Sequence, residues 1–500
     1  MPDLQPGDEA DFPHYLDVAW RRMVKEAARS DLPDPLLLAD YNYSWRDVKT
    51  QILSEMSSNN GYVPRQAEIL DLPKDALTVR PIARMRPEDQ VVYDALVFSI
   101  ASVLDSHLNP AVYSYRWNSE KETLRSGVGD WKVMQRVGRK LHEDRPMALL
   151  AKTDVSSFYE YVDLDILKRD LDEMVSGSWA VERLMKFLHD FGSFNQVWGL
   201  PQGSDASGVL ANMYLLPVDQ YLQDEGLRYL RFSDDISIFG SDWNLLRQTL
   251  ISVTRIMRGR HLSVSGTKTK ILSGSAILAE FEDAEKDAIS YGINTGYEGT
   301  HHQLVDLFEA AIAKDPPNYR DIKFALSRFP IFLEDRAVDW ILENYRKYPQ
   351  LAAFTSSYLS SFMFLRPEVE GRLLDFISTG HLGVDPFTEM HAVRALLRNS
   401  VTEPRGNAVM WALLLDKNKQ GYVRELAARY VGRNARPGDA ARLEQEFKAE
   451  RNIGVKRALL VARFEALRGK AQWVADVEGV LDFPWLQPFL ASNPSVVRTP

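Results

Sequence analysis

The sequence predicts an α+β domain followed by an all-α helical-repeat domain. Before about residue 300, short apolar β-rich runs such as MALLAKTDVSSFYEYV and LRYLRFSDDISIFG alternate with helical stretches such as VLANMYLLPVDQYLQ. From Gln303 onward, apolar residues recur at three- and four-residue steps almost throughout. The glycine-rich segment 289–302 lacks sustained periodicity and is predicted as a linker. We therefore expect one domain over residues 1–295 and a second over residues 303–500.

The helical part contains a faint internal repeat. The segments 393–396, 423–426 and 455–458 read VRAL, VREL and VKRA, and they recur at intervals of 30 and 32 residues. Such intervals are typical of stacked helix pairs in a solenoid, and they favour a HEAT-like arrangement. Chance similarity among amphipathic helices is the alternative.

Composition excludes several classes of protein. The 500 residues include 60 basic and 69 acidic side chains, and this net charge of −9 disfavours a protein that coats duplex nucleic acid nonspecifically. There is no cysteine, so disulfides, thiol nucleophiles and cysteine-ligated metals are excluded. The acidic amino terminus is unlike a secretory signal, and no apolar run approaches the roughly 18 residues of a membrane span. We expect a cytoplasmic protein.

Three aspartates are the candidate catalytic residues. Asp154 ends an apolar strand, and the consecutive Asp234 and Asp235 lie between two strand-like runs. Carboxylates held close together need protons, basic partners or metal ions for neutralisation. If the three meet, they can hold two Mg²⁺ ions, with Mn²⁺ as the alternative, for an in-line phosphoryl displacement. Taken alone, the Asp234–Asp235 pair favours a solvated hairpin turn, because Asp-rich turns are common.

A glycine-flanked loop, GLPQGS at 199–204, precedes a predicted helix. Its glycines allow a ligand to approach the backbone closely, and a helix amino terminus favours phosphate contact. The alternative is an ordinary capped helix, with Ser204 or Asp205 as the capping residue.

The order of these motifs is more specific than any one of them. Asp154, Gln202-Gly203, Asp234-Asp235 and then the Lys268-containing TKTK segment resemble the sequential motifs of the reverse transcriptase palm. The resemblance extends from about residue 41 to 271, and it implies the fingers and palm of a right-hand polymerase without a readable thumb.

That resemblance implies that Asp154 bridges both metal ions, that Asp234 completes the pair and that Asp235 is a less essential neighbour. Tyr159 occupies the position of the bulky residue that crowds a ribose 2′-hydroxyl, which implies deoxynucleotide substrates. Phe232 replaces the tyrosine that many members carry before the aspartate pair, and we expect catalysis to survive this change. The resemblance also implies a nucleotide-binding set comprising Val155, Ser156, Ser157, Tyr159, Gln202, Gly203, Lys268, Arg80 and Arg116.

The segment YSYR at 113–116, the segment LPQGSDASG at 200–208 and the helical tail resemble the bacterial abortive-infection reverse transcriptases, in their smaller phage- and prophage-encoded form. This implies an antiphage DNA polymerase that works without a template and is primed by a tyrosine hydroxyl, with Tyr41 and Tyr43 among the candidates. It also implies homo-oligomers, single-stranded DNA product attached covalently to the protein, and a phage protein as trigger.

Two other functions remain open on the sequence. One is an RNA-templated reverse transcriptase that copies a bound noncoding RNA. The other is a polymerase-shaped scaffold whose helical repeats sense a phage protein, with catalysis dispensable.

Overall fold

The computed structural model describes residues 7–32, 34–144, 148–195, 199–281, 284–297, 299–379, 385–399, 403–467 and 483–492. They form two compact units. The first is built from described residues within 1–23, 49–70 and 81–284, and the second from those within 24–48, 71–80 and 285–500. The second unit thus takes in two short amino-terminal segments, which a division in chain order does not anticipate. The functional domain boundaries at 1–295 and 303–500 stay a prediction.

The secondary structure of the described residues is mixed in the first half of the chain and helical in the second. The strands are β1 (Glu68–Pro73), β2 (Val79–Arg84), β3 (Trp117–Asn118), β4 (Thr123–Leu124), β5 (Leu149–Thr153), β6 (Arg228–Phe232), β7 (Asp235–Gly240) and β8 (Lys270–Ser273). Up to residue 300 the helices are α1 (Phe12–Glu26), α2 (Ala39–Tyr43), α3 (Trp45–Met56), α4 (Pro87–Ser106), α5 (Gly127–Asp144), α6 (Leu164–Met174), α7 (Trp179–Asn195), α8 (Asp205–Tyr214), α9 (Leu216–Asp224), α10 (Trp243–Gly259), α11 (Ser275–Phe281) and α12 (Ala284–Thr295). Beyond it they are α13 (Thr300–Ile312), α14 (Tyr319–Leu326), α15 (Ala337–Asn344), α16 (Ala352–Phe362), α17 (Glu368–Ser378), α18 (Pro386–Arg398), α19 (Gly406–Leu415), α20 (Gly421–Arg433), α21 (Asp439–Ala449), α22 (Ile453–Ala466) and α23 (Leu486–Ala491).

A four-stranded antiparallel sheet of order β6-β7-β5-β8 is the centre of the first unit. Its strands alternate between two covered faces, as expected for a sheet packed on both sides. Leu150, Leu230 and Phe239 form one core cluster with residues of α5 and α11, while α10 packs on β5 and β7. This packing holds the carboxyl end of β5 next to the amino end of β7.

Local sequence signals explain where these elements end. The predicted helix VLANMYLLPVDQYLQ is divided into α8 and α9 around Leu215, because Pro217 has no amide hydrogen to continue the backbone hydrogen bonds. The predicted strands on both sides of Asp234-Asp235 are β6 and β7. The prediction of a linker at 289–302 is wrong, since α12 and α13 cover most of it. Gly292 serves close packing there: an added Cβ would lie 2.1 Å from Thr300 Oγ1.

The second unit is built from helices that pack in sequence. The recurring segments identified above begin with Val393 on α18, Val423 on α20 and Val455 on α22, and all three valines are fully buried. Helix α20 packs against both α18 and α22. The amino-terminal part of this unit is attached by Arg457, which forms ion pairs with Asp34 and Asp40. The HEAT-like assignment stays a prediction.

Within the described residues, no helix combines the length and the apolar character that crossing a membrane requires.

Candidate active site

The sheet brings Asp154 next to the Asp234-Asp235 turn. Asp154 directly follows β5, and the two aspartates lie at the turn between β6 and β7. Strands β5 and β7 are antiparallel, with Thr153 opposite Ile236, so the end of one strand adjoins the start of the other. The expected meeting of these distant positions is therefore present in the structure.

The carboxylates of Asp154 and Asp234 lie within hydrogen-bonding reach of each other. Asp154 is buried, at 7% exposure, and Asp234 is half-buried. Burial, the hydrogen bond with Asp154 and the charge of Asp154 together raise the pKa of Asp234 to about 7. Two acids in this arrangement share a proton or attract cations near neutral pH.

Lys268 supplies one such cation, because its ammonium group donates a hydrogen bond to Asp154 Oδ2. Lys268 lies in a short turn that is held against the end of β5, because the Ser265 amide donates to the Asp154 carbonyl at 2.7 Å. Burial alone would lower the pKa of Lys268, but its hydrogen bond and the nearby carboxylate charges raise it. Lys268 thus lies against the acidic pair, and its nucleotide-binding role stays a prediction.

Asp235 faces a different group of charges. Its carboxylate lies 3.6 Å from Lys152 Nζ, which also binds Glu280 at 2.7 Å. The side chain is half-exposed, at 52%. Burial raises the pKa of Asp235, Lys152 opposes this effect, and the charge of Asp154 adds to it. The three predicted catalytic aspartates therefore divide into a close pair and a neighbour directed toward Lys152.

The close pair fits a hard divalent cation. Its donors are all carboxylate oxygens, which Mg²⁺ prefers, and burial together with the neighbouring Asp154 raises the pKa of Asp234 despite Lys268. Within the part of the chain that the structure describes, no three acidic or histidine side chains already converge as a metal cluster. The predicted metal-ligand set of Asp154, Asp234 and Asp235 stays a prediction, and the pair is the part of it that the geometry supports.

Tyr159 is fixed beside this pair by two partners. Its hydroxyl lies within hydrogen-bonding reach of Tyr115 and Ser233. Burial and the neighbouring Tyr115 raise the pKa of Tyr159 far above its ordinary value, so the phenol stays protonated. Tyr115 itself has a φ of +50° and packs on Gly208, where an added Cβ would lie 2.4 Å from the Tyr115 ring. The ring of Tyr159 is therefore held rigidly.

The loop at 199–204 packs against the backbone of Tyr159. The Leu200 amide donates to the Tyr159 carbonyl at 2.8 Å, and an added Cβ on Gly199 would lie 2.0 Å from that oxygen. Gly203 is exposed, with a φ of +116°, and the Gln202 carbonyl accepts from Ala83 at 2.9 Å. The first glycine thus has a structural requirement, while Gln202 and Gly203 lie at the outer part of the loop.

The helix cap after this loop is Ser204, one of the two expected residues. Its hydroxyl accepts from the Ala206 amide at 3.0 Å and donates to the buried Asp94 at 2.7 Å. Asp205 instead pairs with Arg22 at 2.5 Å. The capped-helix interpretation of this loop is confirmed, and it is compatible with ligand binding at Gln202 and Gly203.

The segment after Asp154 is partly committed to the fold. The Ser156 amide donates to the Ser263 carbonyl at 2.8 Å and Val155 pairs with Val264, so the Ser156 amide is not available to a phosphate. Ser157 has a φ of +47°, and its side chain is exposed. The binding roles predicted for Val155, Ser156 and Ser157 stay predictions.

The two predicted finger arginines differ. Arg116 is largely buried and binds Asp105 through two nitrogens at 2.7 and 3.1 Å, and it also donates to the carbonyls of Asn109 and Val112. These contacts give Arg116 a structural role, and its predicted nucleotide role stays a prediction. Arg80 belongs to the second unit, where its charge acts on Lys323, so its predicted nucleotide role stays a prediction.

The sequence did not reveal the buried support beneath the aspartate turn. Arg231 is fully buried and donates to Asp219 at 2.5 Å, to Asn212 at 2.8 Å and to the Ser233 carbonyl at 2.9 Å. The Ser233 amide in turn donates to the Ser114 hydroxyl at 2.6 Å. Ser233 has a φ of +57°. The YSYR segment, which contains Ser114 and Tyr115, was the available signal. Arg231 looked like any residue of an amphipathic strand.

Comparisons with known proteins agree with this geometry. Residues 72–304 match the family described as reverse transcriptase (RNA-dependent DNA polymerase). The chain is 21% identical over 162 residues to the putative COX1/OXI3 intron 1 protein of Saccharomyces cerevisiae, covering 31% of this chain and 18% of that protein. It is 24% identical over 188 residues to protein YkfC of Escherichia coli, covering 37% and 47% respectively. The chain thus spans less than half the length of these curated relatives.

Two solved structures also resemble the chain. A structure of apo telomerase from Candida tropicalis has a TM-score of 0.33 and 11% identity, covering 79% of this chain and 73% of that one. Telomerase from Candida albicans in complex with a fragment of telomeric RNA has a TM-score of 0.32 and 11% identity, covering 71% and 70%.

Residues 72–304 therefore match a reverse transcriptase-type polymerase domain, and domains of this type are nucleotidyltransferases. Domains of this type act on nucleotides and nucleic acid, and they generally use two divalent metal ions, typically Mg²⁺.

Proposed function

We propose that this protein is a DNA polymerase that adds deoxynucleotides at the Asp154–Asp234 pair. The observation that carries the proposal is the pair itself: two distant carboxylates meet at a sheet edge, one has a pKa raised to about 7, and Lys268 lies against the other. An acidic pair short of positive charge is what divalent-ion catalysis of phosphoryl transfer requires. Asp235, directed toward Lys152, has an accessory role.

Asp154 and Asp234 would hold Mg²⁺, which when bound stabilises charge on the attacking and leaving oxygens of the reaction. Lys268 donates a hydrogen bond to Asp154, and its half-exposed ammonium is placed to donate to phosphate oxygens as negative charge develops on the leaving pyrophosphate. Burial by the sheet excludes water from Asp154 and strengthens these interactions.

Tyr159 is proposed to select deoxynucleotides. Its contacts with Tyr115 and Ser233 prevent the ring from moving aside, and Ser233 immediately precedes Asp234. A ring held rigidly at this place would collide with a ribose 2′-hydroxyl. Gln202, Gly203 and the exposed Ser157 are proposed to contact the nucleotide from the loops on either side of Tyr159.

The biological setting we propose is antiphage defence of the abortive-infection type. The YSYR and LPQGSDASG segments and the large helical unit support this setting. Synthesis would then be template-independent and primed by a tyrosine. Tyr43 is the more accessible of the two candidate tyrosines, since its side chain is 56% exposed, whereas Tyr41 lies against Arg457. Assembly into homo-oligomers and triggering by a phage protein belong to the same proposal.

The test is DNA synthesis by purified full-length protein supplied with labelled deoxynucleotides and Mg²⁺ but no template or primer. We expect labelled product that migrates with the protein on a denaturing gel and is released by protease. The Asp154→Asn variant should give none. The alternative is RNA-templated synthesis. It predicts that product appears only when RNA is added and that the sequence of the product copies that RNA.

A cellular experiment separates enzyme from scaffold. If cells carrying Asp154→Asn at wild-type protein levels still resist phage, polymerisation is dispensable for defence. Loss of resistance in that variant, with retention in a matched Asp165→Asn variant on the surface of α6, supports the proposed enzyme.

A further inference from the structure

The second unit carries a group of cations that we call the cationic patch. Its members are Arg80 on β2, Lys323 on α14, Arg328 just after α14, and Arg394 and Arg398 one turn apart on α18. Asp31 links the two halves of the patch, because its charge acts on both Lys323 and Arg394. All of these residues belong to the second unit.

Three cations of the patch, Lys323, Arg328 and Arg394, have few carboxylates near them among the described residues. Among the ion pairs of the described residues, none includes Lys323, Arg328 or Arg394. The charge of Asp31 acts on Lys323 and Arg394 but not on Arg328. The Arg394 guanidinium also donates to the backbone carbonyls of Ala28 and Ser30. Asp321, on the same helix as Lys323, is already paired with Lys286. Elsewhere in this unit, arginines such as Arg366 and Arg424 have acidic partners.

The cations are also partly removed from water. Burial lowers the pKa of Arg328, and burial together with the charge of Arg80 lowers that of Lys323. Burial and the charge of Arg398 lower the pKa of Arg394 to about 10. Like charges held together in this way are unfavourable on their own, and an anion that bridges them would relieve the repulsion.

Aromatic rings accompany the charges. Lys323 Nζ lies 5.4 Å from the centroid of the Phe354 ring, and the Arg328 guanidinium lies 3.6 Å from that of Phe324. Phe354 is 40% exposed, so part of its face is open to a ligand. Cations alternating with accessible rings are suited to single-stranded nucleic acid, whose phosphates meet the charges while its bases stack.

We propose that the cationic patch binds the phosphodiester backbone of a single nucleic-acid strand, with Phe354 stacking on a base. The inference rests on the proposed function in one respect: a polymerase has such a strand as its product. An acidic protein or a lipid surface would satisfy the charges but would have no use for the exposed ring.

Binding can be measured separately from synthesis. Full-length protein carrying Asp154→Asn is titrated, in EDTA, against fluorescein-labelled oligothymidylate and oligouridylate of the same length at several salt concentrations. A variant of this protein also carries Lys323→Gln and Arg328→Gln. We expect the magnitude of its slope of log affinity against log salt to be smaller by about 1.4, since each lost phosphate contact contributes about 0.7 on a single strand. Phe354→Ala should weaken binding roughly fivefold or more.

The matched control is Arg372→Gln on α17, an exposed arginine outside the patch that makes no ion pair among the described residues. Its slope and affinity should match those of the parent, and thermal melting should show that all variants are folded. Tighter binding of either the DNA or the RNA strand supports the inference and identifies the preferred polymer.

Unchanged slopes in the double variant together with unchanged affinity in Phe354→Ala would overturn the inference. Binding of anionic phospholipid vesicles with the same dependence on Lys323 and Arg328, and no strand binding, would overturn it as well. Synthesis is assayed separately in the chain that retains Asp154. Patch-dependent strand binding without synthesis would contradict the proposed function alone, and synthesis without patch-dependent binding would contradict this inference alone.

Discussion

The ammonium group of Lys268 donates a hydrogen bond to the Asp154 carboxylate, so a cation already lies where the acidic pair meets. The two residues are 114 positions apart in the sequence. The turn before β8 brings them together, because the Ser265 amide in it donates to the Asp154 carbonyl. The pair of Asp154 and Asp234 therefore depends on an internal positive charge before any metal ion binds. This dependence predicts how the site responds to pH and to substitution.

Lys268→Met removes that charge. The pKa of Asp234, about 7 with Lys268 present, should rise further, because Lys268 lowers it. Mg²⁺ competes with the proton on Asp234, so the pH at which Mg²⁺ affinity is half-maximal should move upward by roughly half a unit to one unit. Calorimetric titration with Mg²⁺ between pH 6 and 9 measures the shift.

Lys270→Met is the matched control for this substitution, because the ammonium of Lys270 pairs with Glu280 at 2.8 Å instead of with the acidic pair. Its pH midpoint should equal that of the wild type. Equal midpoints for Lys268→Met and the wild type would contradict the electrostatic account.

Asp234→Asn should stabilise the protein at alkaline pH while it abolishes synthesis. The folded-state pKa of Asp234, about 7, lies above the ordinary value of 3.8, so the folded state binds this proton more tightly than the unfolded state does. Stability from this group is present below pH 4 and is lost as pH rises through 7. In EDTA, the variant should gain about 2 kcal/mol relative to wild type at pH 8, after allowance for partial solvent exposure, and almost nothing at pH 4.

Thermal melting of both proteins at the two pH values measures this difference. A gain of the same size at pH 4 and pH 8 would show that the substitution acts through packing and not through ionisation.

Tyr115→Phe should relax the choice of sugar. The substitution removes the hydroxyl that meets Tyr159 and leaves the ring that packs on Gly208. One hydrogen bond contributes about 1 kcal/mol, so discrimination against ribonucleotides should fall by roughly fivefold. The ratio of kcat/KM for a deoxynucleotide and its ribonucleotide is the measurement.

Tyr113→Phe provides the comparison, since Tyr113 packs on the core cluster of the sheet. If both variants keep the wild-type ratio, Tyr115 has no part in positioning Tyr159.

The strand ends were predictable because they depend on local patterns. The alternating apolar runs around Asp154 and Asp234 indicated strands, and acidic residues at strand ends converge when the strands pair. The direction of Asp235 was not predictable, since it depends on Lys152 and Glu280, which approach only after β5 and α11 pack.

Longer-range ion pairs explain the other differences. An arginine at position 116 is compatible with a phosphate contact, but in the structure its guanidinium donates to Asp105, eleven residues earlier. The segment 289–302 looked like a linker because glycine usually interrupts helices, whereas Gly292 allows α12 to approach Thr300. In both cases a partner brought close by tertiary packing decided the outcome.

Gly199→Ala should damage the site through the backbone. The added Cβ would lie 2.0 Å from the Tyr159 carbonyl oxygen and 2.6 Å from that of Glu160, and backbone atoms cannot rotate away as a side chain can. We expect a loss of roughly 2 kcal/mol of stability and a lower kcat, as is usual for overpacked sites. Gly127→Ala, whose Cβ would meet nothing within 4 Å, should be nearly neutral in the same melting and synthesis assays.

The most direct test of the central claim compares Asn substitutions at the three aspartates. Template-free incorporation of labelled deoxynucleotides is measured with purified full-length variants in Mg²⁺. Because Asp154 and Asp234 form the close pair, Asp154→Asn and Asp234→Asn should each lower the rate roughly a thousandfold, which corresponds to about 4 kcal/mol of activation free energy. Asp235→Asn should lower the rate no more than about tenfold. Similar losses at all three positions, or wild-type rates in Asp154→Asn, would contradict the account.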